Sequence, residues 1–457
     1  MVRHIPAWMT VLLLARLAGL IGLALLVSWA AQRTPRARER LRRRATLSAV
    51  FFAALSVYLA NGNRHLQVDT QPAVFGAMSF LRQGWFDLTP FERSVEPLRP
   101  SVLLTGADGL TYTRYPPGST LACIPFAMPI ARVSRLTDLD VDAASKLTGA
   151  FTSALSVAFL FAALLRLGIA GGPLWLSTAA YAFGTTLLST ASQDAWQHGP
   201  AMLGLMVALH GIVRSHQDRK PGAAWQVGAG FGWAFLCRST MLVPAVLIGL
   251  HLLARDRRRL AAACAGAIPF AAFWTLWAGR IYGSPFRTGY GSRGEGVIQS
   301  GFSGHLWRTF FDPSRGIFVF SPFLLVAVAG LVLMAPAIRR RGKDQEPLAS
   351  VGVFAFSALP VAAYIAAINM YWGGWSYGYR PASECAALLM PAFALAAARV
   401  WPRRWARPLL GALVAVSIFI HALEWAFPND VWNAREELRS RSQILVHIEV
   451  ARGRLGI

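Results

Sequence analysis

An all-α, polytopic membrane protein of about twelve transmembrane helices is the fold class this chain predicts, and three observations predict it. Hydrophobic residues make up 55% of the 457 and charged residues only 15%, where a soluble domain carries about 25% charge. The apolar residues gather into stretches of roughly 16–24, enough to cross a hydrocarbon core about 30 Å thick as helices. Arginines fall in clusters between those stretches, which is how cytoplasmic loops are marked.

The first stretch, 7–30, is long and lacks a basic start followed by a small-residue cleavage site. It reads as a retained span rather than a signal peptide. Behind it come seven arginines between Arg33 and Arg44, so 1–44 is expected to be an extra N-terminal helix followed by a basic cytoplasmic loop. The next span, 45–60, then leads to the outer face, and 45–427 forms the transmembrane domain. Its first outer loop, 61–143, contains the apolar stretch 119–131. That stretch is only about 13 residues long and carries Pro125 and Pro129, which favours a helix lying in the interface or a re-entrant segment over a span.

Further spans are expected at 144–165, 173–190, 198–213, 223–236, 239–254, 260–279, 315–337, 349–369, 383–399 and 408–426. The short, glycine-rich 223–236 is the weakest of them. Arginines then occupy the cytoplasmic turns 214–220, 255–259, 339–343 and 399–407, with Arg166 in another. Outer loops are 61–143, 191–197, 280–314 and 370–382. The tail 428–457 is also outside, although Arg435, Arg439, Arg441, Arg452 and Arg454 argue against that placement.

The formal net charge of +23 does not make this a nucleic-acid binder. The arginines sit in short clusters between apolar segments rather than on one face of a domain. Cytoplasmic arginines suit anionic membrane lipids instead. The four cysteines, Cys123, Cys237, Cys264 and Cys385, are far apart with no C-x-x-C pair, so neither a zinc site nor a disulfide framework is expected.

Chemistry-bearing residues concentrate in the outer loops. Asp69 and Gln71-Pro72 open the long loop; Thr113-Arg114-Tyr115-Pro116-Pro117-Gly118 leads into the interfacial stretch; Asp194, Trp196 and His198 lie in and just beyond the short second loop. Tyr282-Gly-Ser-Pro-Phe-Arg287-Thr-Gly-Tyr290 and Asp312-Pro-Ser-Arg315-Gly follow. Asn369-Met-Tyr371-Trp372-Gly-Gly-Trp375-Ser-Tyr377-Gly-Tyr379-Arg380 closes the series. Aromatic faces stack on sugars and arginines hold phosphates in pairs of charge-assisted hydrogen bonds. Tryptophan and tyrosine also belong at membrane interfaces whatever the function. Asp69 would equally well cap the helix that follows. Arg380 would serve as a snorkelling anchor, with Glu384 as its partner four residues on.

Taken in order, these motifs resemble the bacterial polytopic proteins of the glycosyltransferase C superfold, relatives of the protein mannosyltransferases and of the lipid A aminoarabinose transferases, over about residues 45–400. The resemblance implies a transferase of the bacterial cytoplasmic (inner) membrane. It would pass a hexosyl or pentosyl group from a polyprenyl-phosphate sugar to a glycan, lipid or protein acceptor on the outer face, with inversion. It makes Asp69 the catalytic base, joined by Asp194, and assigns Arg380 and Arg114 to the leaving phosphate. Tyr115, His198, Tyr371, Trp372, Trp375 and Tyr377 complete the substrate-binding set. No cofactor is certain; a divalent magnesium or manganese ion shared by Asp69 and Asp194 remains open, because Thr70 and Gln71 stand where many relatives have a second acid. A transporter or flippase of lipid-linked saccharides is the alternative, although no internal symmetry of the transporter kind is evident. A catalytically inactive protein of the same fold is a third.

Overall fold

The structure, a computed structural model, describes residues 35–62, 68–98, 102–131, 138–218, 220–290, 301–340, 342, 345–368 and 374–454. The expected first span, 7–30, lies outside them.

Helix α1 runs from Pro35 to Ala60. It starts ten residues before the expected span, so part of the arginine run is helix rather than loop. Proline is well placed there, since the first turn of a helix leaves its N–H groups unpaired in any case. After a turn comes α2 (Gln71–Gln83), and then a feature the all-α expectation lacks. Strands β1 (Leu103–Thr105) and β2 (Thr111–Thr113) pair antiparallel, Leu104 opposite Tyr112. Their turn contains Asp108-Gly109, with Gly109 at φ 80°, a conformation glycine takes at little cost. Helix α3 (Gly118–Ala127) covers most of the apolar stretch 119–131. Ten residues rise only about 15 Å, half a hydrocarbon core.

The bundle follows: α4 (Asp138–Arg166), α5 (Gly171–Phe183), α6 (His198–Gln217), α7 (Trp225–Cys237), α8 (Leu242–Arg255) and α9 (Arg257–Tyr282). Then come α10 (Phe302–Phe311), α11 (Leu325–Arg339), α12 (Glu346–Phe356), α13 (Ala358–Ala367), α14 (Ser383–Val400), α15 (Ala406–Ala426) and α16 (Gln443–Ala451). Seven helical segments among the described residues are long and apolar enough to cross a membrane: Arg43–Ala60, Asp140–Arg166, Arg257–Tyr282, Pro322–Arg339, Glu346–Ala367, Arg380–Val400 and Ala406–Ala426. This is a mostly helical, membrane-embedded fold. The remaining expected spans fall on shorter or more polar helices. Expected span 173–190 becomes α5 plus a one-turn π-helix, Leu187–Ala191. Within the long segment Glu346–Ala367, α12 gives way to α13 at Ser357, where Pro360 has no N–H to return to the preceding turn.

Helix α6 packs against α4, α7, α12 and α14. The glycine-rich character of α7 has a packing cause. A Cβ on Gly228 would strike the Ala263 carbonyl of α9, and one on Gly230 would strike Ala208 and Gly204 of α6. Small residues let helix backbones approach this closely, as at many membrane helix interfaces.

The two ends of the bundle differ in composition. At one end arginine turns tie to each other's helices: Arg166 to Asp218 (3.3 Å), Arg255 to the Ile338 carbonyl (2.7 Å) and Glu346 (3.2 Å), and Arg259 to the Ser215 carbonyl (3.3 Å). At the other end the described parts of the loops 61–143, 191–197, 280–314 and 370–382 meet. Asn61 donates to Gln193 (2.8 Å) and to the Trp425 carbonyl (2.8 Å), and Tyr290 donates to Gln197 (3.1 Å). The tail joins this second end: Gln443 donates to the Ser376 carbonyl and accepts from the Gly378 N–H. Its arginines have local partners there, Arg441 with Glu449 (2.5 Å) and Arg439 with the Asn433 carbonyl (2.7 Å).

Candidate functional site

Where the loops meet, Asp69 lies in the turn ahead of α2, half-buried, with both carboxylate oxygens engaged. Tyr115 donates its hydroxyl to Oδ1 at 2.8 Å, and Arg380 donates from Nη1 to Oδ2 at 3.1 Å. Asp69 therefore does not cap α2, whose N-cap residue is Thr70 with no side-chain cap bond. Tyr115 is held by the Pro116-Pro117 turn into α3, where a Cβ on Gly118 would collide with Cys237 at the end of α7. Burial first, and then the charge of Asp69, pushes the Tyr115 hydroxyl well above its ordinary pKa. It stays a proton donor to Asp69.

Arg380 opens the 3-10 turn that leads into α14. Its guanidinium lies 4.1 Å from the Trp196 ring centroid, a cation–π contact that holds the plane of the group. The expected Arg380–Glu384 pair is not formed. Glu384, fully buried, pairs with His198 (2.9 Å) and Arg238 (3.5 Å). Arg238 also reaches His198 (3.0 Å) and donates to the Pro381 carbonyl (3.2 Å), so it props the residue next to Arg380. His198 thus sits between Glu384 and Arg238.

Asp194 is 1% exposed. Thr70 donates to its Oδ2 at 2.6 Å, while Oδ1 accepts from Ser145 and from the Ala195 N–H. Gly149 of α4 allows the approach, because a Cβ there would meet the Asp194 carbonyl. Thr70 thus ties the Asp69 turn to Asp194. A metal shared by the two acids does not fit this arrangement: each oxygen faces a proton donor, and among the described residues no group of three or more His, Cys, Asp or Glu is arranged to hold one.

Arg114 is buried and lies 5.6 Å from the Tyr290 ring centroid, with Gly289 packed on its backbone. Tyr115 and Tyr290 rings stand 6.1 Å apart, so the neighbours Arg114 and Tyr115 both lie near Tyr290. Trp375 is 56% exposed. Tyr377 is buried, its hydroxyl donated to the Ile420 carbonyl at 2.9 Å. Tyr371 and Trp372 lie outside the described residues. Beside Asp194 and Trp196 opens a cavity of about 50 Å³, walled also by Thr190, Trp375, Glu424 and Asp430.

Two residues, Lys146 and Arg238, escape a reading of the sequence alone, and the loop-motif residue Arg315 gains a defined place. Lys146, buried at the start of α4, reaches Gln193 (2.5 Å) and Asn61 (3.2 Å); a lysine inside an apolar helix is itself a signal. Arg238, between two spans, is another. Arg315 holds the loop of Arg380 through Gly374 (2.8 Å) and Ser376 (3.0 Å), and reaches Asn433 in the tail (3.0 Å). Compared with protein families and with curated proteins, the chain matches none.

Proposed function

We propose that the protein is a membrane glycosyltransferase of the bacterial inner membrane that uses a polyprenyl-phosphate sugar, with Asp69 as base and Arg380 receiving the leaving phosphate at the outer face. One observation carries the reading: a carboxylate and a guanidinium from opposite ends of the chain meet, partly open, where all the aromatic-rich loops converge.

The chemistry follows from that pair. The acceptor's hydroxyl gives its proton to Asp69 as its oxygen attacks the anomeric carbon. The bond from that carbon to the phosphate oxygen breaks, and its electron pair leaves with the lipid phosphate. Arg380, drawn off Asp69 by the phosphate, neutralises the charge that develops. Attack and departure on opposite faces invert the anomeric carbon. Tyr115 orients the carboxylate, and Trp196 keeps the guanidinium in place. No step passes through a metal.

Purified protein reconstituted with polyprenyl-phosphate sugars should release the lipid phosphate and glycosylate an acceptor. Asp69→Asn should abolish release while leaving the fold intact. Undiminished release in that variant removes Asp69 as base.

A further inference from the structure

The cavity beside Asp194 holds features the proposed reaction does not use. Thr190, 5% exposed, lines it, and among the described residues its hydroxyl finds no hydrogen-bond partner. A buried hydroxyl left unpaired costs about 1–3 kcal/mol, so it calls for a ligand atom or water at that point. The Asp430 carboxylate, on the rim, also has no protein partner among the described residues. Two indoles frame the opening: Trp196, which faces Arg380 with its ring, and Trp375, largely exposed.

Charge and donor count define what fits. Asp194, Glu424 and Asp430 stand in the wall, and among the described residues no lysine, arginine or histidine lines it. Basic side chains stand one layer behind, each bonded to a wall residue: Lys146 to Gln193, Arg315 to Ser376 and Asn433, His447 to Glu424 at 2.7 Å. Asp194 already accepts on both oxygens and Glu424 is bonded to His447, so the carboxylate the wall leaves open to a guest is that of Asp430. Ionised carboxylates only accept. A guest must therefore bring hydrogens, and a phosphate or carboxylate brings none.

Size narrows it further. A cavity that holds benzene measures about 150 Å³, three times this one, so a six-membered ring enters only by an edge and rests its face on Trp375.

We propose that this cavity is a subsite for the hydroxyl-bearing edge of an uncharged saccharide, stacked on Trp375 and hydrogen-bonded to Thr190 and Asp430, and that it rejects anionic sugars. The saccharide class rests on the transferase reading; the selectivity for neutral donors over anions rests on the cavity wall alone.

Saturation-transfer-difference NMR on the full-length protein in nanodiscs tests it. The probes are methyl glycosides of glucose, galactose, mannose and arabinose, with methyl glucuronide and methyl galacturonide as anionic counterparts. At least one neutral glycoside should bind, and its uronide, where the panel holds one, should bind roughly five- to tenfold more weakly. Trp375→Ala, an exposed position, and Thr190→Val should each weaken the neutral ligand several-fold, whereas Asp69→Asn should not. Equal binding of uronides, no binding by any neutral member, or indifference to both cavity variants overturns the subsite. Glycoside binding with normal lipid-phosphate release in Asp69→Asn instead overturns the base assignment and leaves the subsite standing.

Discussion

Glu384, at the start of α14 and four residues beyond Arg380, pairs instead with Arg238, 3.5 Å away in the α7–α8 turn. Glu384 is buried and the Arg238 side chain is only 11% exposed. Arg238 extends the link to the Pro381 carbonyl. The pair therefore braces the backbone that carries Arg380, leaving Arg380 itself for Asp69.

Removing one member of a buried ion pair leaves the other charge stranded, at a cost of about 3–5 kcal/mol. Glu384→Ala should accordingly lower the thermal unfolding midpoint strongly in detergent. Replacing Glu384 and Arg238 together by leucine and methionine should recover much of the loss. A double variant as unstable as the single one would show that the pair is not the cause.

Tyr115 should report on pH. Its folded pKa is raised above the unfolded value of about 10, by burial first and by Asp69 second. Stability from the protonated hydroxyl is then fully present below about pH 10 and is lost as pH rises above it. Melting curves of the wild type should fall between about pH 9 and 11 more steeply than those of Tyr115→Phe. Parallel curves contradict the hydrogen bond to Asp69.

Sidedness is directly measurable. In a cysteine-free background, Asp69→Cys and Asp430→Cys should react with a membrane-impermeant maleimide from outside intact cells. Asp218→Cys, at the arginine-rich end, should react only after permeabilisation. Labelling of Asp69→Cys from the cytoplasm alone would favour the transporter reading or an inverted topology.

Packing of α7 predicts a contrast between two glycines. Gly228→Val pushes a side chain into the Ala263 backbone and should destabilise by about 1–3 kcal/mol or more. A methyl group added at Gly249 of α8 would meet nothing within 4 Å, and Gly249→Ala should be neutral or stabilising by about 0.5–1 kcal/mol. Equal effects at both positions, measured by thermal shift, would refute close approach of α7 and α9.

How much is legible in the chain differs between fold and site. Apolar lengths place α1, α4, α9, α14 and α15 within a few residues, except that α1 begins inside the arginine run. The hairpin escapes that reading although Asp108-Gly109 between two β-prone runs is a hairpin signal; hydropathy dominates so apolar a chain. Asp69, Asp194 and Arg380 stand out as loop charges, but their partners do not. Tyr115 lies 46 residues from Asp69 and Arg380 lies 311 away.

Length of apolar stretch and position of arginines are properties of a one-dimensional string, because water and hydrocarbon sort each segment by its own composition. From these alone the chain determined a helical membrane protein whose polar, aromatic loops alternate with basic turns. Which carboxylate meets which guanidinium was decided only in three dimensions. Helix approach distances set by Gly149, Gly228 and Gly230, together with the turns at Pro116–Gly118 and Arg380–Pro381, bring the groups within reach. Burial then selects the pairs, since a charge in a dry interior must find its opposite while one in a loop need not.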